Sequence, residues 1–216
     1  MEQIQHHFPH FSKSTLQQLK DWSELLKDWN TKINLISRKD AENLIEHHLL
    51  HSLSIAKAIQ FSPGTRVIDV GTGGGLPGLP LAMVFPDTHF TLVDSIGKKI
   101  RVIDDMADKL GLKNITTINA RVETLKTKYD FILGRAVTAL PRFIDWTNTL
   151  VRPGKRNSLK NGLLYLKGTA YQEELKDSHL KPSQVFDLSE WFSGDFFNEK
   201  FLLHFTAPIL QRRNSR

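Results

Sequence analysis

Arg66-Val67-Ile68-Asp69-Val70-Gly71-Thr72-Gly73-Gly74-Gly75-Leu76-Pro77-Gly78 is the stretch from which the fold is read. A short, β-branched run ends at a cluster of glycines, the pattern of a buried parallel strand entering a tight turn. Leu79, Leu81, Ala82 and Phe85 then follow a helical spacing that stops near Pro86. Strand, glycine turn and helix in that order form a crevice. Without side chains a ligand can approach the backbone closely, and a helix N-terminus offers N–H groups. The spacing Gly73-x-Gly75-x-x-Gly78 also satisfies the dinucleotide fingerprint, a weak signal when it stands alone.

Downstream, the chain keeps alternating. A strand over 90–93 precedes a helix over 98–110, with Gly111 placed as its C-cap. Strands over 115–118 and 129–133, a helix near 143–150 and a strand over 163–166 follow. Val185-Phe186 and the run 201–205 are weaker strand candidates. This alternation predicts an α/β fold, doubly wound around a mostly parallel seven-stranded sheet.

Upstream, the period is helical. Leu16, Leu19, Trp22, Leu25, Leu26 and Trp29 predict a helix over 13–29, with Ser14 or Thr15 able to cap it. Leu44, Ile45, His48, Leu49, Ser52, Leu53 and Ala56 predict a second over 40–58. Residues 1–62 are therefore expected to form an N-terminal helical lobe, and 63–216 the sheet domain. His6, His7 and His10 fall in a terminus expected to be mobile.

Two carboxylates sharpen the ligand reading. Asp94 ends the second strand, where an acid can accept hydrogen bonds from both hydroxyls of a ribose; it could equally cap a helix through Ser95-Ile96-Gly97. Asp69 lies just before the first glycine. A carboxylate there suits a ligand carrying an ammonium group and repels a pyrophosphate. S-adenosylmethionine has the ammonium and a nicotinamide dinucleotide has the pyrophosphate, so the methyl donor is preferred.

The loop after the fourth strand, Leu133-Gly134-Arg135-Ala136-Val137, lacks the Asn/Asp-Pro-Pro-aromatic motif common in enzymes that methylate exocyclic base amines. The chain has no cysteine, which excludes disulfides, thiolate metal ligands and pyrimidine C5 methylation through a covalent adduct. Acceptors with a free lone pair remain, guanine N7 among them. Attack by such a lone pair needs no prior deprotonation, so no catalytic base is assigned. His47 and His51 stand four apart on one helix, but no third ligand accompanies them and no metal is expected.

Hydrophobic residues at 40% and charged residues at 24% are ordinary for a soluble globular protein. The net charge of +6 shifts the odds toward a polyanionic partner such as nucleic acid. The N-terminus lacks the basic and apolar regions of a secretory signal, and no apolar run approaches the ~20 residues that span a bilayer. A soluble, cytoplasmic protein without a membrane partner is expected. The basic segment 152–162 could touch RNA, although a solvated surface loop is the commoner role for such a stretch.

Trp29-Asn30 with Ile33-Asn34-Leu35, the run from His47 to Ser52, Asp69 to Gly78, Leu92-Val93-Asp94-Ser95 with Lys98-Lys99, Arg121-Val122-Glu123, Arg135-Ala136 and Lys167-Gly168 together resemble the RsmG family. These proteins are also called glucose-inhibited division protein B, bacterial small-subunit rRNA guanine-N7 methyltransferases. The likeness covers nearly the whole chain. It implies the Rossmann-like methyltransferase fold, with S-adenosyl-L-methionine held by Gly71, Gly73 and Leu76 in the turn, Asp94 on the ribose, Val122 and Glu123 near the adenine, and Arg135 at the methionine end. It further implies 16S rRNA or the small ribosomal subunit as partner, with N7 of a guanine near position 527 as acceptor. Lys98, Lys99, Arg101, Arg135 and Lys167 are the candidate RNA contacts, and a monomer is expected. The chain departs from the family at His51, where an Asp is usual, at Thr169, where a glycine is usual, and in the stretch 155–160, which looks inserted. Two other readings compete: a nicotinamide-dependent oxidoreductase on the same fold, and a catalytically silent RNA-binding or assembly protein.

Overall fold

A computed structural model gives the structure of the protein and describes residues 1–209. Seven strands among them form one sheet: β1 (Arg66–Val70), β2 (His89–Asp94), β3 (Ile115–Asn119), β4 (Phe131–Arg135), β5 (Gly162–Gly168), β6 (Gln184–Asp187) and β7 (Lys200–Thr206). Their order is β3-β2-β1-β4-β5-β7-β6. Neighbours from β3 to β5 run parallel, while β7 lies antiparallel to both β5 and β6. The doubly wound, mostly parallel sheet read from the alternation is the one observed, and the two weak strand candidates are its antiparallel margin. Tyr129, expected inside a strand, makes only an isolated bridge to Val151 before β4 begins.

Burial follows position in the sheet. Val67, Ile68, Asp69 and Val70 of β1 are all buried, as a strand covered on both faces requires. The edge strand β3 is only partly covered, and its threonines and asparagine face solvent at little cost.

The helical lobe departs from expectation in three places. Helix α1 (Glu2–His7) docks the terminus that was expected to be mobile, because Ile4 and Phe8, four apart on one face, are both fully buried. Each such burial is worth about 2 kcal/mol. Helix α2 (Lys13–Lys32) is capped by Ser12, whose side chain accepts from the Thr15 N–H, and not by Ser14 or Thr15. The predicted second helix is a composite. A 3-10 stretch (Arg38–Asn43) passes into a π-helix (Leu44–Leu50), then α3 (His51–Leu53) and α4 (Ile55–Ala58). Every residue from His48 to Ala56 is buried, so no single apolar stripe exists for a helical period to report.

Four helices flank the sheet: α5 (Gly78–Val84), α6 (Gly97–Lys109), α7 (Leu140–Thr147) and α8 (Ala170–Lys176). Helix α6 ends in a Schellman motif, with the Leu112 N–H bonded to the Ala107 carbonyl and Gly111 left-handed at φ 67°. Leu19, Trp22, Leu26, Leu49 and Leu53 of the lobe share one continuous core with Val67, Leu79, Leu92 and Ile103. The lobe therefore packs directly on the face of the sheet that carries α5 and α6.

Candidate functional site

The chain leaves β1 toward β2 and β3, then returns to build β4 and β5 on the other side. Where that direction reverses, the carboxyl ends of β1, β2 and β4 enclose a cleft of about 340 Å³. Gly71, Asp94, Val122 and Glu123, all predicted ligand contacts, line it.

Gly71 forms the floor. Its φ of +68° is left-handed, and a Cβ there would lie 2.9 Å from both Val137 methyls. Any side chain would therefore strain the backbone and push Val137 into the cleft. Gly73 is also left-handed, and a Cβ on it would meet nothing closer than 3.9 Å. It leaves the turn bare.

All but one of the N–H groups of this turn have a partner, contrary to expectation, the exception being Gly74. Gly71 and Thr72 donate to the Val93 carbonyl, and Gly75 and Leu76 to that of Thr72. Gly73 donates to Asp94 Oδ2 at 3.0 Å. At the start of α5, Gly78 donates to Asp69 Oδ2 at 2.9 Å and Leu79 to the Gly75 carbonyl. The turn thus lacks the fan of unpaired donors that a pyrophosphate needs.

Asp69 is placed beneath the turn and does not line the cleft. Its Oδ2 also accepts from Thr72 Oγ1 at 2.6 Å, while Oδ1 is buried without a partner. Burial pushes this carboxyl up to about 6, against the opposing pull of Thr72, Gly78 and Arg135. Its direct work is to clamp the turn onto α5. The preference for an ammonium ligand, first argued from Asp69, rests in the structure on the occupied N–H groups instead.

Asp94 faces the cleft. Gly73 N–H takes part of Oδ2, and Ile96 N–H donates to Oδ1 at 2.9 Å, an Asx turn that leads into α6. A carboxylate has about four lone-pair sites, so acceptor capacity remains for a pair of ligand hydroxyls. Both roles read from the sequence, local turn former and cleft-facing acceptor, are compatible with this geometry.

Sequence reasoning passed over several wall residues. Ile96 is 42% exposed, one of two large apolar side chains so exposed among the described residues, and it lines the cleft with Val122 and Trp146. Apolar walls beside a hydroxyl-binding acid suit a flat ring attached to a sugar. The exposure follows from the Asx turn, and an isoleucine outside a periodic pattern gave no sign of it. Asn119 steadies the acid by donating to the Asp94 carbonyl at 2.9 Å. Ala136, also in the wall, has φ +54°, the single non-glycine residue in that region among those described. Such backbone strain clusters at functional sites.

The remaining predicted residues are scattered. Leu76 is buried behind the turn. Arg135 does not line the cleft: its guanidinium donates to His48 Nδ1 at 3.1 Å and to the His47 carbonyl at 3.4 Å. Asp40 lies 2.5 Å from His47 Nδ1 and 2.8 Å from His48 Nε2. Burial, reinforced by Arg135, holds His48 down to about 4, so it meets the guanidinium as a neutral ring. Lys167, expected to reach RNA, is instead paired with Glu174 at 2.8 Å and donates to the Thr138 carbonyl. Lys99 lines the cleft beside Arg121, which was not predicted, while Lys98 and Arg101 are exposed on the first turns of α6.

His51 is buried with its ring edge-on to Phe196, and burial drives its pKa well below the ordinary value, so it carries no charge. Among the described residues, no group of three His, Asp or Glu side chains is placed to hold a metal ion, and none of their helices is long and apolar enough to cross a membrane. The basic loop 152–162 sits at the opposite edge of the sheet from the cleft. Asn157 there accepts from the Ser62 N–H at 2.7 Å, and Arg156 donates to the Pro63 carbonyl at 2.6 Å.

Comparison with known proteins gives a consistent result. The family model GidB, rRNA small subunit methyltransferase G, matches residues 15–188. A Ribosomal RNA small subunit methyltransferase G from Christiangramia forsetii is 45% identical over 94% of this chain and 96% of its own length. One from Bacteroides thetaiotaomicron is 48% identical over 94% and 98%. Among solved structures, a SAM-dependent methyltransferase from Aquifex aeolicus superposes with a TM-score of 0.56 over 77% of this chain and 94% of its own, at 16% identity. A mutant of MtNAS in complex with S-adenosylmethionine gives 0.58 over 88% and 72%, also at 16% identity. At those identities the likeness is one of fold.

Proposed function

The chain belongs to the rRNA small subunit methyltransferase G family, and from that premise we propose that it methylates N7 of a guanine, near position 527, in 16S rRNA. S-adenosylmethionine would supply the methyl group from its sulfonium. The observation that carries this reading is the combination at one cleft: a bare turn whose N–H groups are occupied save that of Gly74, opposite an aspartate with acceptor capacity to spare. A ligand with a ribose and no pyrophosphate fits that combination. A dinucleotide does not.

Each residue then has a physical task. Asp94 takes the ribose hydroxyls, while Ile96 and Val122 provide apolar walls for the adenine and Glu123 stands at its rim. Gly71 and Gly73 let the donor lie against the backbone, with Leu76 supporting the turn from behind. Arg135, fixed by neutral His48, belongs to the methionine end. Guanine N7 has an available lone pair, so the protein needs to align it with the methyl group and exclude water, and no side chain has to remove a proton. Lys99 and Arg121 in the cleft wall, with Lys98 and Arg101 exposed on the first turns of α6, would offer positive charge suited to the RNA backbone. The protein acts in the cytoplasm as a monomer, on rRNA or on the small subunit.

The test is methyl transfer to small subunits from a strain lacking the modification, with the product mapped by primer extension after borohydride reduction and aniline cleavage, which break the RNA at an N7-methylated guanine. Methylation at N7 of one guanine near position 527 is expected. Transfer to an exocyclic amine, or to a different rRNA, would replace this reading.

A further inference from the structure

Asn30 and the loop it holds form the back wall of the donor turn, a task unrelated to the cleft side of that turn. Asn30 closes the C-terminal part of α2. Its Oδ1 accepts two backbone hydrogen bonds, from the Leu35 N–H at 2.9 Å and the Ile36 N–H at 3.0 Å. A single side-chain oxygen thereby fixes the chain as it leaves α2. Ile36 is buried, and Leu35 is set against the glycine turn: a Cβ built on Gly74 would lie 3.2 Å from Leu35 Cβ and 3.4 Å from Leu26 Cδ1.

The glycines of the turn thus look in different directions. Gly71 looks toward Val137 and the cleft, Gly73 has open space, and Gly74 is pressed against the helical lobe. Gly74 has no left-handed φ, so backbone conformation alone does not require a glycine there. The requirement is the closeness of Leu35. Because Gly73, next in the chain, is the residue whose N–H holds Asp94 Oδ2, movement of the turn away from Leu35 would also disturb the acceptor proposed for the ribose.

We propose that Asn30 is a positioning residue for the donor site: by holding Leu35 against Gly74 it fixes the turn from behind and so sets affinity for the methyl donor. The inference rests on the cleft being that donor site. Asn30 touches neither donor nor acceptor. Its expected signature is a raised KM for S-adenosylmethionine, with the KM for the ribosomal subunit unchanged and kcat at saturating donor nearly so.

The experiment is titration calorimetry with S-adenosylhomocysteine on the full chain and on two variants. Asn30→Ala leaves both N–H groups without their acceptor and is expected to weaken binding about tenfold. Asn30→Asp keeps an acceptor oxygen in place and is expected to bind within about twofold of the unmodified protein. A purely structural role would lower the Tm of Asn30→Ala while leaving its affinity unchanged, and that result overturns the proposal. Equal weakening by both variants overturns it too. Should Asn30→Ala not fold, Leu35→Ala, which keeps the Asn30 clamp and removes most of the buttress, is expected to show the same loss, and wild-type affinity there overturns the proposal. If the unmodified protein fails to bind S-adenosylhomocysteine, the donor-site reading itself has failed, an outcome distinct from these.

Discussion

Two aspartates sit at opposite edges of the same sheet, both buried, and they do opposite things. Asp130, at the amino edge, is saturated. Its oxygens accept from the Arg66 N–H at 2.9 Å, from Arg152 Nε and Nη2 at 2.8 and 3.0 Å, and from Asn161 Nδ2 at 3.0 Å. Asp94, at the carboxyl edge, accepts from two backbone N–H groups and turns its remaining capacity toward the cleft. Burial and charge alone would mark both as functional. What separates them is the acceptor capacity left over once the protein's own donors are counted. The amino edge is closed by the clasp of Arg152, Asn157 and Asn161, while the carboxyl edge is held open by glycines.

The largest effect that would break this comparison lies in stability. Asp130→Ala leaves the donors of Arg66 and Asn161 unpaired and is expected to cost about 3 kcal/mol in chemical denaturation, Arg152 being half exposed and so contributing less than a fully buried partner. Binding of S-adenosylhomocysteine should not change. Asp94→Ala should do the reverse. Losing charge-assisted hydrogen bonds to the ribose is expected to weaken the same ligand about a hundredfold, roughly 2.7 kcal/mol, with a smaller loss of stability. If Asp130→Ala weakens the ligand as much as Asp94→Ala, the distinction between the two edges fails.

Protonation sharpens the comparison further. For Asp130, burial acts to raise the pKa, but Arg152, Arg66 and Asn161 outweigh it and hold the carboxyl below the ordinary 3.8. The folded pKa is the lower one, so this group stabilises the fold above the unfolded value and loses that contribution as the pH falls through the folded one. Asp69, pushed up by burial to about 6, has the opposite sign. Between the unfolded 3.8 and about 6 the folded state binds more protons, so its contribution diminishes as pH rises through that window. Asp69→Asn is expected to remove this slope and raise stability at pH 7.5 by about 1 kcal/mol, with little change near pH 4. Urea denaturation across that range reads it. A slope that survives the substitution would show that Asp69 is not its source.

The smallest effects belong to single surface cations. Lys98→Ala or Arg101→Ala should each flatten the salt dependence of binding to small-subunit rRNA by about one phosphate contact, whereas Lys155→Ala at the amino edge should leave it unaltered. Lys167→Ala is expected to act mainly through the lost Glu174 pair.

Much of this was legible in the sequence, because the deciding signals are local. The run from Arg66 to Gly78 encodes strand, turn and helix within a few residues, and Asp94 is marked by its place at the end of the next strand. The failures involve partners distant in sequence or patterns without a period. Nothing near Lys167 announces that Glu174 will neutralise it on the following helix, nor that His48 will receive Arg135. Helix α8 went unpredicted because none of its residues is buried, which leaves no apolar stripe to count. The π-helical segment Leu44–Leu50 was read as part of one ordinary helix because a spacing of three and four residues does not tell a π turn from an α turn over so short a stretch. Ile96 was invisible for a related reason: its exposure is set by the Asx turn in which its N–H bonds Asp94, not by its own chemistry.

A crystal structure of the chain soaked with S-adenosylhomocysteine tests the central assignment most directly. The account predicts the ligand in the cleft at the ends of β1, β2 and β4, with both ribose hydroxyls within hydrogen-bonding distance of the Asp94 carboxylate and its adenine beside Ile96 and Val122. Density for the ligand elsewhere, or a ribose that leaves Asp94 untouched, would contradict it.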